Sequence, residues 1–436
     1  MPDGFYDSMS QLKCPDMSNI ESSPYFQSTL ADYENIVKIC KTRSKMPPIS
    51  LEQSKEILFS VKPDFNDFFS MTANHFIHAG HPGIQHFHLL ISCIINNVNL
   101  AGLDKFNTAS SCILYKGHSK DKESDRSYRN ISTCPFLAKC VNVYAGKLYG
   151  AGWAACQAET QFQGEGSSHE LAALLFSETI QLSLFLNKKP VYALLLDAMS
   201  AYDKIVRQCA LRSAFLANTT DQGLLYLDAR LQNRSTFTEW DKTMMGPILD
   251  KLGLEQGNVI SDRLYKLCNN NQLHTAQLSQ LGVDCGAAVL SCVGVADDTV
   301  ILSDDIFKLP GLTFLAEEYF SKVHVTLVPE KTKLLFFFVD NQAPSVLKLL
   351  IRFQFWESQS SSQNQLSTLV FCKQPLVAIC HMSSAVSRLT DKLCTEPFLY
   401  MYCIHAPQTQ NCLHCTVSIT QNCLTIKIVL KDTTLE

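Results

Sequence analysis

The chain has 436 residues, 46% hydrophobic content and a net charge of −4, which together predict a globular protein with a sizeable core and no overall basic footprint for nucleic acid. Its 18 cysteines are scattered along the chain, and its first residues lack the basic and apolar pattern of a signal peptide. Both features argue against a secreted disulfide framework and for free thiols in a reducing compartment. Apolar runs such as 88–95 and 334–339 are too short to cross a bilayer, so no membrane partner is expected.

The first half of the chain contains a few recognisable elements. The sequence predicts a helix at 51–61 and an exposed hairpin or loop in the charged segment KGHSKDKESDRSYR, 116–129. Ser167 and Glu170 have the spacing of a capping box, and the leucines that follow lie roughly on one face. We therefore expect a helix at 168–187.

The middle of the chain alternates short apolar strands with helices. VYALLLD, 191–197, is continuously apolar, as expected of a strand buried on both faces, and it ends on a carboxylate. Helices are predicted at 203–217 and 257–280. The strands VLSCVGV, 289–295, and TVILS, 299–303, flank the residues ADD, which predicts a hairpin with acids at its turn.

The pattern weakens towards the C-terminus. An amphipathic helix is predicted at 312–323, followed by strands at 324–328 and 333–339. The tail, 341–436, is rich in Ser, Gln, Cys and Thr and shows no consistent periodicity. It contains a Cys/His cluster, for which chance in a cysteine-rich segment is favoured over a zinc site: Cys403, His405, Cys412, His414, Cys415 and Cys423.

Three acids at strand ends are the candidate catalytic group. Asp197 closes one buried strand, and Asp297 and Asp298 lie at the hairpin turn. Nucleotidyl transfer by two divalent ions needs carboxylates that converge on rigid elements, and this pattern supplies them. The alternative is that the acids are solvated residues at turns, which Asp favours.

Four segments in order resemble the palm motifs of reverse transcriptases. LLLDAMSAYD, 194–203, has an aspartate followed five residues later by an aromatic, and GLEQGNVIS, 253–261, has the form G-x-x-Q-G-x-x-x-S. VADD, 295–298, and VPEKTKL, 328–334, resemble the third and fourth motifs. Each motif is weak alone, and the ordered set is specific.

Two upstream segments narrow the resemblance to the LINE-type, non-LTR retrotransposon enzymes. These are KGHSKDKESDRSYRNIS, 116–132, and QFQGEGSSHELAALL, 161–175. The sequence departs from the family pattern at four positions: Asn130, Glu165, Asn258 and Asp262.

The resemblance implies an α+β fold, with a ferredoxin-like polymerase palm of antiparallel strands covered by helices, fingers before it and no recognisable thumb. It divides the chain into an N-terminal extension at 1–109, fingers at 110–187, a palm at 188–340 and an unassigned tail at 341–436.

The resemblance also assigns catalytic roles. Asp197 and Asp297 would be the ligands of Mg²⁺ or Mn²⁺, and Asp298 would support them as a further metal-site residue. Lys331 would donate a proton to the leaving pyrophosphate.

Five further residues would bind the deoxynucleoside triphosphate. Lys116 and Arg129 would hold the triphosphate, and Gln256 and Gly257 would line the pocket. Tyr202 would act as the steric gate that excludes a 2′ hydroxyl.

The partners implied are an RNA template, a DNA primer and deoxynucleotides, with an endonuclease supplied in trans, in the nucleus or the cytoplasm. One alternative is an inactive retrotransposon remnant that binds RNA or protein. Another is a metal-dependent phosphohydrolase or cyclase on a similar palm, against which the Q-G-x-x-x-S segment and Tyr202 count.

Overall fold

A computed structural model describes the following residues: 5–63, 67, 69–97, 106–117, 121–124, 127–163, 167–240, 243–328, 331–338, 368–372, 400–405, 416–420 and 423–427. The chain divides into two compact units. The first comprises Met1–Gln157, Ser200–Asn269 and Ser321–Val325, and the second comprises Ala158–Met199, Asn270–Phe320 and Thr326–Glu436.

The α-helices of the described residues are α1 Phe5–Lys13, α2 Ser18–Glu21, α3 Pro24–Thr42, α4 Leu51–Ser60, α5 Ala73–Ile77, α6 Gly80–Asn96, α7 Phe136–Ala155, α8 His169–Gln181, α9 Ala201–Lys204, α10 Arg207–Leu216, α11 Gly223–Leu231, α12 Val259–Leu278 and α13 Leu309–Lys322. A π-helical turn, Leu182–Leu186, continues α8.

The strands are β1 Thr108–Tyr115, β2 Tyr128–Thr133, β3 Val191–Leu196, β4 Ala198–Met199, β5 Arg234–Trp240, β6 Thr243–Asp250, β7 Val283–Asp284, β8 Val289–Leu290, β9 Cys292–Val295, β10 Asp298–Ser303, β11 Thr326–Leu327, β12 Lys333–Phe338, β13 Thr368–Cys372, β14 Tyr400–His405, β15 Thr416–Thr420 and β16 Cys423–Lys427.

The first unit is built on a mixed sheet of four strands in the order β2-β1-β5-β6. β1 pairs antiparallel with β2 and parallel with β5, while β5 and β6 are antiparallel. Met9 of α1 packs on Ile248 of β6 in a small apolar cluster with Tyr128. The sheet is therefore covered by α1 on this face.

A buried charge network fastens α1 to the same sheet. Asp250 Oδ2 accepts a hydrogen bond from Arg234 at 2.8 Å and one from the Thr236 hydroxyl at 2.9 Å. Lys13 Nζ lies 3.5 Å from the same oxygen, and the charged side chains of Lys13, Arg234 and Asp250 are each at most 5% exposed. Opposite charges that are buried together in this way offset part of one another's lost hydration.

The second unit is built on a sheet of six strands in the order β13-β14-β12-β3-β10-β9, in which all pairings are antiparallel. Because side chains alternate along a strand, every second residue of its central strands faces α8. The resulting core contains Phe176, Ile180, Leu184, Val191, Ala193, Val300, Leu302, Leu335 and Phe337. This helix-covered antiparallel sheet confirms the predicted α+β class.

Two predicted elements need correction. The helix predicted at 203–217 is interrupted between α9 and α10, where Ile205 is extended and the Val206 N–H donates to Val323 O at 3.2 Å. The strand predicted at 324–328 is shorter in the structure, where Thr326–Leu327 forms β11 and pairs antiparallel with β4. At the first place a tertiary hydrogen bond replaces the local pattern, and at the second the His324 N–H instead donates to Ser321 O at the end of α13.

The start of α8 also differs in detail from the prediction. The residue that caps it is Ser168, whose hydroxyl accepts the Leu171 N–H at 3.2 Å, and not Ser167. Within the described residues, no helix has the length and the hydropathy needed to cross a membrane.

Candidate active site

The ends of β3 and β10 bring two acids together in the second unit. The two strands are antiparallel, with Leu196 opposite Thr299. Asp197 directly follows Leu196 and Asp298 directly precedes Thr299, so the two acids continue the register at one end of the sheet. Because the strands are central in the sheet, their ends are held by pairing on both sides.

The third acid lies in the hairpin turn beside them. Val295 pairs with Asp298, which leaves Ala296 and Asp297 as a two-residue turn. Ala296 has a φ of 58°, in the left-handed region that a residue with a Cβ seldom adopts. The turn thus places Asp297 next to the strand end that carries Asp298.

The charges of the three acids act on one another. Burial raises the pKa of Asp298, and the charges of Asp297 and Asp197 raise it further, to about 6, while His169 and Lys331 act in the opposite direction. The side chain of Asp298 is exposed at the surface, so the lost hydration is partial and the repulsion between charges adds to it. Repulsion of this kind is expected where carboxylates follow neighbouring strand ends.

Lys331, from the fourth motif, also lies at this strand end. Its Nζ is 3.1 Å from Asp197 Oδ1. The backbone brings it there, since the Val328 N–H donates to Asp197 O at 2.9 Å and the Lys331 N–H donates to Val328 O at 3.1 Å. Three acids and one lysine from separate parts of the sequence are therefore gathered at one edge of the sheet.

The donor set fits a divalent cation by its chemistry. Carboxylate oxygens are the ligands that Mg²⁺ and Mn²⁺ prefer, and a bound cation would relieve the repulsion that raises the pKa of Asp298. Among the residues that the structure describes, no group of three or more His, Cys, Asp or Glu side chains is arranged as a metal site. Metal binding by Asp197, Asp297 and Asp298 stays a prediction.

The sequence alone assigned no role to Gln161, which supports the hairpin. Gln161 Oε1 accepts the Ala296 N–H at 3.0 Å, and Gly294 exchanges two backbone hydrogen bonds of 2.8 Å with Thr160 and Phe162. Gln161 opens the segment 161–175 that carries the family resemblance, so a signal was present. Its role depends on a contact with a residue far away in the sequence, which no local pattern reveals.

The residues predicted to bind the nucleotide lie in the first unit. The β1–β2 hairpin pairs Leu114 with Arg129, and the Lys116 N–H extends the ladder to Ser127 O at 2.8 Å. Directly paired residues share a face, and so do side chains two residues apart on a strand. Lys116 therefore lies on the face of Leu114 and of its partner Arg129, and both charged side chains are exposed. This is compatible with joint contact to one phosphate chain.

Tyr202 and the second motif are in direct contact. The Tyr202 hydroxyl donates to Asp262 Oδ1 at 3.1 Å, and its ring stacks on Tyr265 with centroids 4.6 Å apart. Asp262, one of the departures from the family pattern, thus orients the predicted steric gate. Gly253 has a φ of 79° and packs so closely on Asp203 O that no Cβ would fit.

The remaining pocket residues border the β2 strand. Gln256 O accepts the Ser132 N–H at 3.2 Å, and Gly257 has a φ of 103°, where an added Cβ would lie 3.2 Å from Ser132 O. The backbone of the second motif is therefore hydrogen-bonded to β2 of the β1–β2 hairpin within the first unit.

The C-terminal Cys/His cluster is not described at the level of side chains. Cys412, His414 and Cys415 lie outside the described residues, as does Glu165, and only the backbone of the strands with Cys403, His405 and Cys423 is described.

Comparison with known proteins identifies one family. Residues 120–369, more than half of the chain, match the family described as "Reverse transcriptase (RNA-dependent DNA polymerase)". No curated protein matches the chain.

One solved structure that is similar to this chain is telomerase from Candida albicans in complex with a TWJ fragment of telomeric RNA. It is 10% identical with a TM-score of 0.39 over 61% of this chain, and the match spans 44% of that chain. A TM-score of this size does not establish a common fold.

Proposed function

The chain belongs to the reverse transcriptase (RNA-dependent DNA polymerase) family, and we propose that it adds deoxynucleotides to a primer 3′ end on an RNA template by two-metal nucleotidyl transfer. The observation that carries this proposal is the register of β3 against β10. It sets Asp197 beside Asp298, with Asp297 in the adjoining turn.

The acids would hold two Mg²⁺ or Mn²⁺ ions, which when bound supply activation of the primer hydroxyl and charge stabilisation at the leaving pyrophosphate. Asp197 and Asp297 are the ligands in this proposal, and Asp298 supports them. Lys331, 3.1 Å from Asp197, holds a proton beside the strand end and would give it to the pyrophosphate oxygen. These side chains sit on paired strands, which keeps their positions fixed.

The proposal also assigns contacts to the nucleotide. Lys116 and Arg129, on one face of the β1–β2 hairpin, would bind the triphosphate, and Gln256 and Gly257 would line the pocket. The Tyr202 ring, held by Tyr265 and Asp262, would exclude a 2′ hydroxyl.

The LINE-type subclass is part of the proposal. The segments 116–132 and 161–175 support it by their similarity to enzymes of that type. A protein of this subclass would act on RNA and a DNA primer in the nucleus or the cytoplasm. The family match favours this reading over a phosphohydrolase or cyclase.

Primer extension on poly-rA/oligo-dT with Mg²⁺ or Mn²⁺ tests the activity. We expect the wild type to incorporate dTTP. Asp197→Asn and Asp297→Asn should each lower the rate at least about 10²-fold, because each removes a charged ligand of the proposed metal ions. Asp284→Asn is the matched control, since this exposed acid of the same unit accepts the Gly286 N–H at 2.8 Å between β7 and β8. Equal failure of the wild type and Asp297→Asn to incorporate dTTP would refute the enzymatic proposal.

One observation favours the alternative of an inactive remnant. In the described part of the chain the acids are not arranged as a ready metal site, and Asp197 contacts a lysine. A remnant would bind RNA or protein through the folded units without incorporating nucleotide. Retention of a labelled RNA hairpin by a wild-type protein without polymerase activity would support it.

A further inference from the structure

The turn between β9 and β10 is held in a conformation that its sequence does not favour. Ala296, its first residue, has a φ of 58°, where its Cβ is crowded by the backbone. Hairpin turns usually place Gly, Asn or Asp at such a position. An external contact is therefore needed to stabilise this backbone.

Gln161 supplies that contact from a neighbouring segment of the same unit. Its side-chain Oε1 accepts the Ala296 N–H at 3.0 Å, and the residue is 2% exposed. A buried hydrogen bond is protected from competition with water, so it restrains the turn more than an exposed one would.

The backbone of Gln161 is itself fixed to the hairpin. The Gly294 N–H donates to Thr160 O, and the Phe162 N–H donates to Gly294 O, both at 2.8 Å. These two bonds form a parallel bridge between Gln161 and Gly294. The side chain thus starts from a defined point and reaches a defined amide.

We propose that Gln161 is a positioning residue, which sets the placement of Asp297 and Asp298 by holding the Ala296 turn. Its catalytic significance rests on the proposed polymerase function. The two acids follow Ala296 directly in the chain, so a change in the turn moves their carboxylates without any intervening side chain. In this proposal Gln161 acts on the two acids through the backbone of the turn.

Gln161→Met tests the proposal, because methionine keeps the length of the side chain and removes the acceptor. Thr160→Val is the matched control. It alters the adjacent buried residue, whose hydroxyl lies 3.6 Å from Cys292 Sγ in β9 and not at the turn. Three quantities are compared: Mn²⁺ affinity by electron paramagnetic resonance, deuterium uptake of peptides that span the β9–β10 turn, and Tm.

We expect Gln161→Met to weaken Mn²⁺ binding about fivefold and to speed deuterium uptake at the turn about tenfold, which are changes of the size that one hydrogen bond supports. Thr160→Val should lower Tm about as much as Gln161→Met does. It should change neither the Mn²⁺ affinity nor the deuterium uptake at the turn. The proposal is overturned if Gln161→Met keeps the wild-type Mn²⁺ affinity, or if the control loses it.

Failure of the proposed function is a separate outcome. If the wild type binds no Mn²⁺, the polymerase proposal fails and deuterium uptake alone decides on Gln161. Faster uptake confined to the turn in Gln161→Met then supports its positioning role, and unchanged uptake overturns it.

Discussion

Lys331 Nζ contacts Asp197 Oδ1 at 3.1 Å while 64% of the lysine side chain and 37% of the aspartate side chain remain exposed. An ion pair so open to solvent contributes about 0–1 kcal/mol to stability. The two residues are therefore brought together by the backbone of β3 and the turn before β12, and the lysine is free to change partners during a reaction.

Replacement of Lys331 should separate activity from stability. We expect Lys331→Gln to slow primer extension by about 10²-fold, the usual size of a lost general acid, while unfolding by urea changes by less than about 0.5 kcal/mol. Lys147→Gln, which breaks an exposed pair with Glu56 of 3.6 Å, is the control and should change neither. An unaltered rate for Lys331→Gln would remove the lysine from the proposed chemistry.

Asp298→Asn should make the metal-free protein more stable. The charge of Asp298 is disfavoured by burial and by repulsion from Asp297 and Asp197. Removing this charge in EDTA at pH 8, where the carboxyl is ionised, should raise the free energy of unfolding by about 1 kcal/mol after allowance for solvent screening. Asp284→Asn serves as the comparison, and a loss of stability in Asp298→Asn would contradict the clustering of charge.

Gly253 should tolerate no side chain. Its φ of 79° is left-handed, and a Cβ would collide with the carbonyl oxygens of Asp203 and Tyr202. Gly286 has a φ of 82°, and no atom lies within 4 Å of the position of an added Cβ. A substitution there therefore measures the cost of the left-handed backbone without a collision. We expect Gly286→Ala to cost about 1 kcal/mol and Gly253→Ala at least about 2 kcal/mol more, as measured by urea unfolding. Equal costs would show that the loop moves freely.

Tyr202 should control the choice of sugar. Tyr202→Val removes the ring that stacks on Tyr265, and we expect ribonucleotide incorporation relative to deoxynucleotide to rise at least about tenfold, the effect of roughly 1.4 kcal/mol of discrimination. Tyr202→Phe keeps the ring and loses the hydrogen bond to Asp262, so its selectivity should stay near that of the wild type. If both variants lose selectivity equally, orientation by Asp262 matters more than ring volume.

The buried network at Asp250 should dominate the stability of the first unit. Asp250→Ala leaves Arg234 and Lys13 buried without their carboxylate and should cost about 3 kcal/mol in urea unfolding. Asp32→Ala, which breaks an exposed pair with Arg212 of 3.4 Å, should cost under about 0.5 kcal/mol. A cost for Asp250→Ala near that of the control would mean that water hydrates the network.

Local sequence patterns predicted the elements that carry their own signal. The apolar run before Asp197 is β3, and the charged segment between Lys116 and Arg129 connects the strands of a hairpin. The α+β class and the reverse transcriptase resemblance are confirmed, whereas the LINE-type subclass, the domain boundaries and the roles of the site residues stay predictions.

Contacts between distant segments were beyond the sequence. The break between α9 and α10 follows from a hydrogen bond of Val206 with Val323, and the turn at Ala296 depends on Gln161. The network of Lys13, Arg234 and Asp250 likewise joins three elements whose charges look like ordinary surface residues in the sequence. Periodicity describes one element at a time, and these features exist only between elements.

The central place of β3 has a consequence for synthesis on the ribosome. Its neighbours β10 and β12 are translated much later than β3 itself. Until then the apolar strand VYALLL has two open edges and is exposed to aggregation or chaperone binding. The pairing of β3 on both sides is therefore complete only when the chain through Phe338 has been translated.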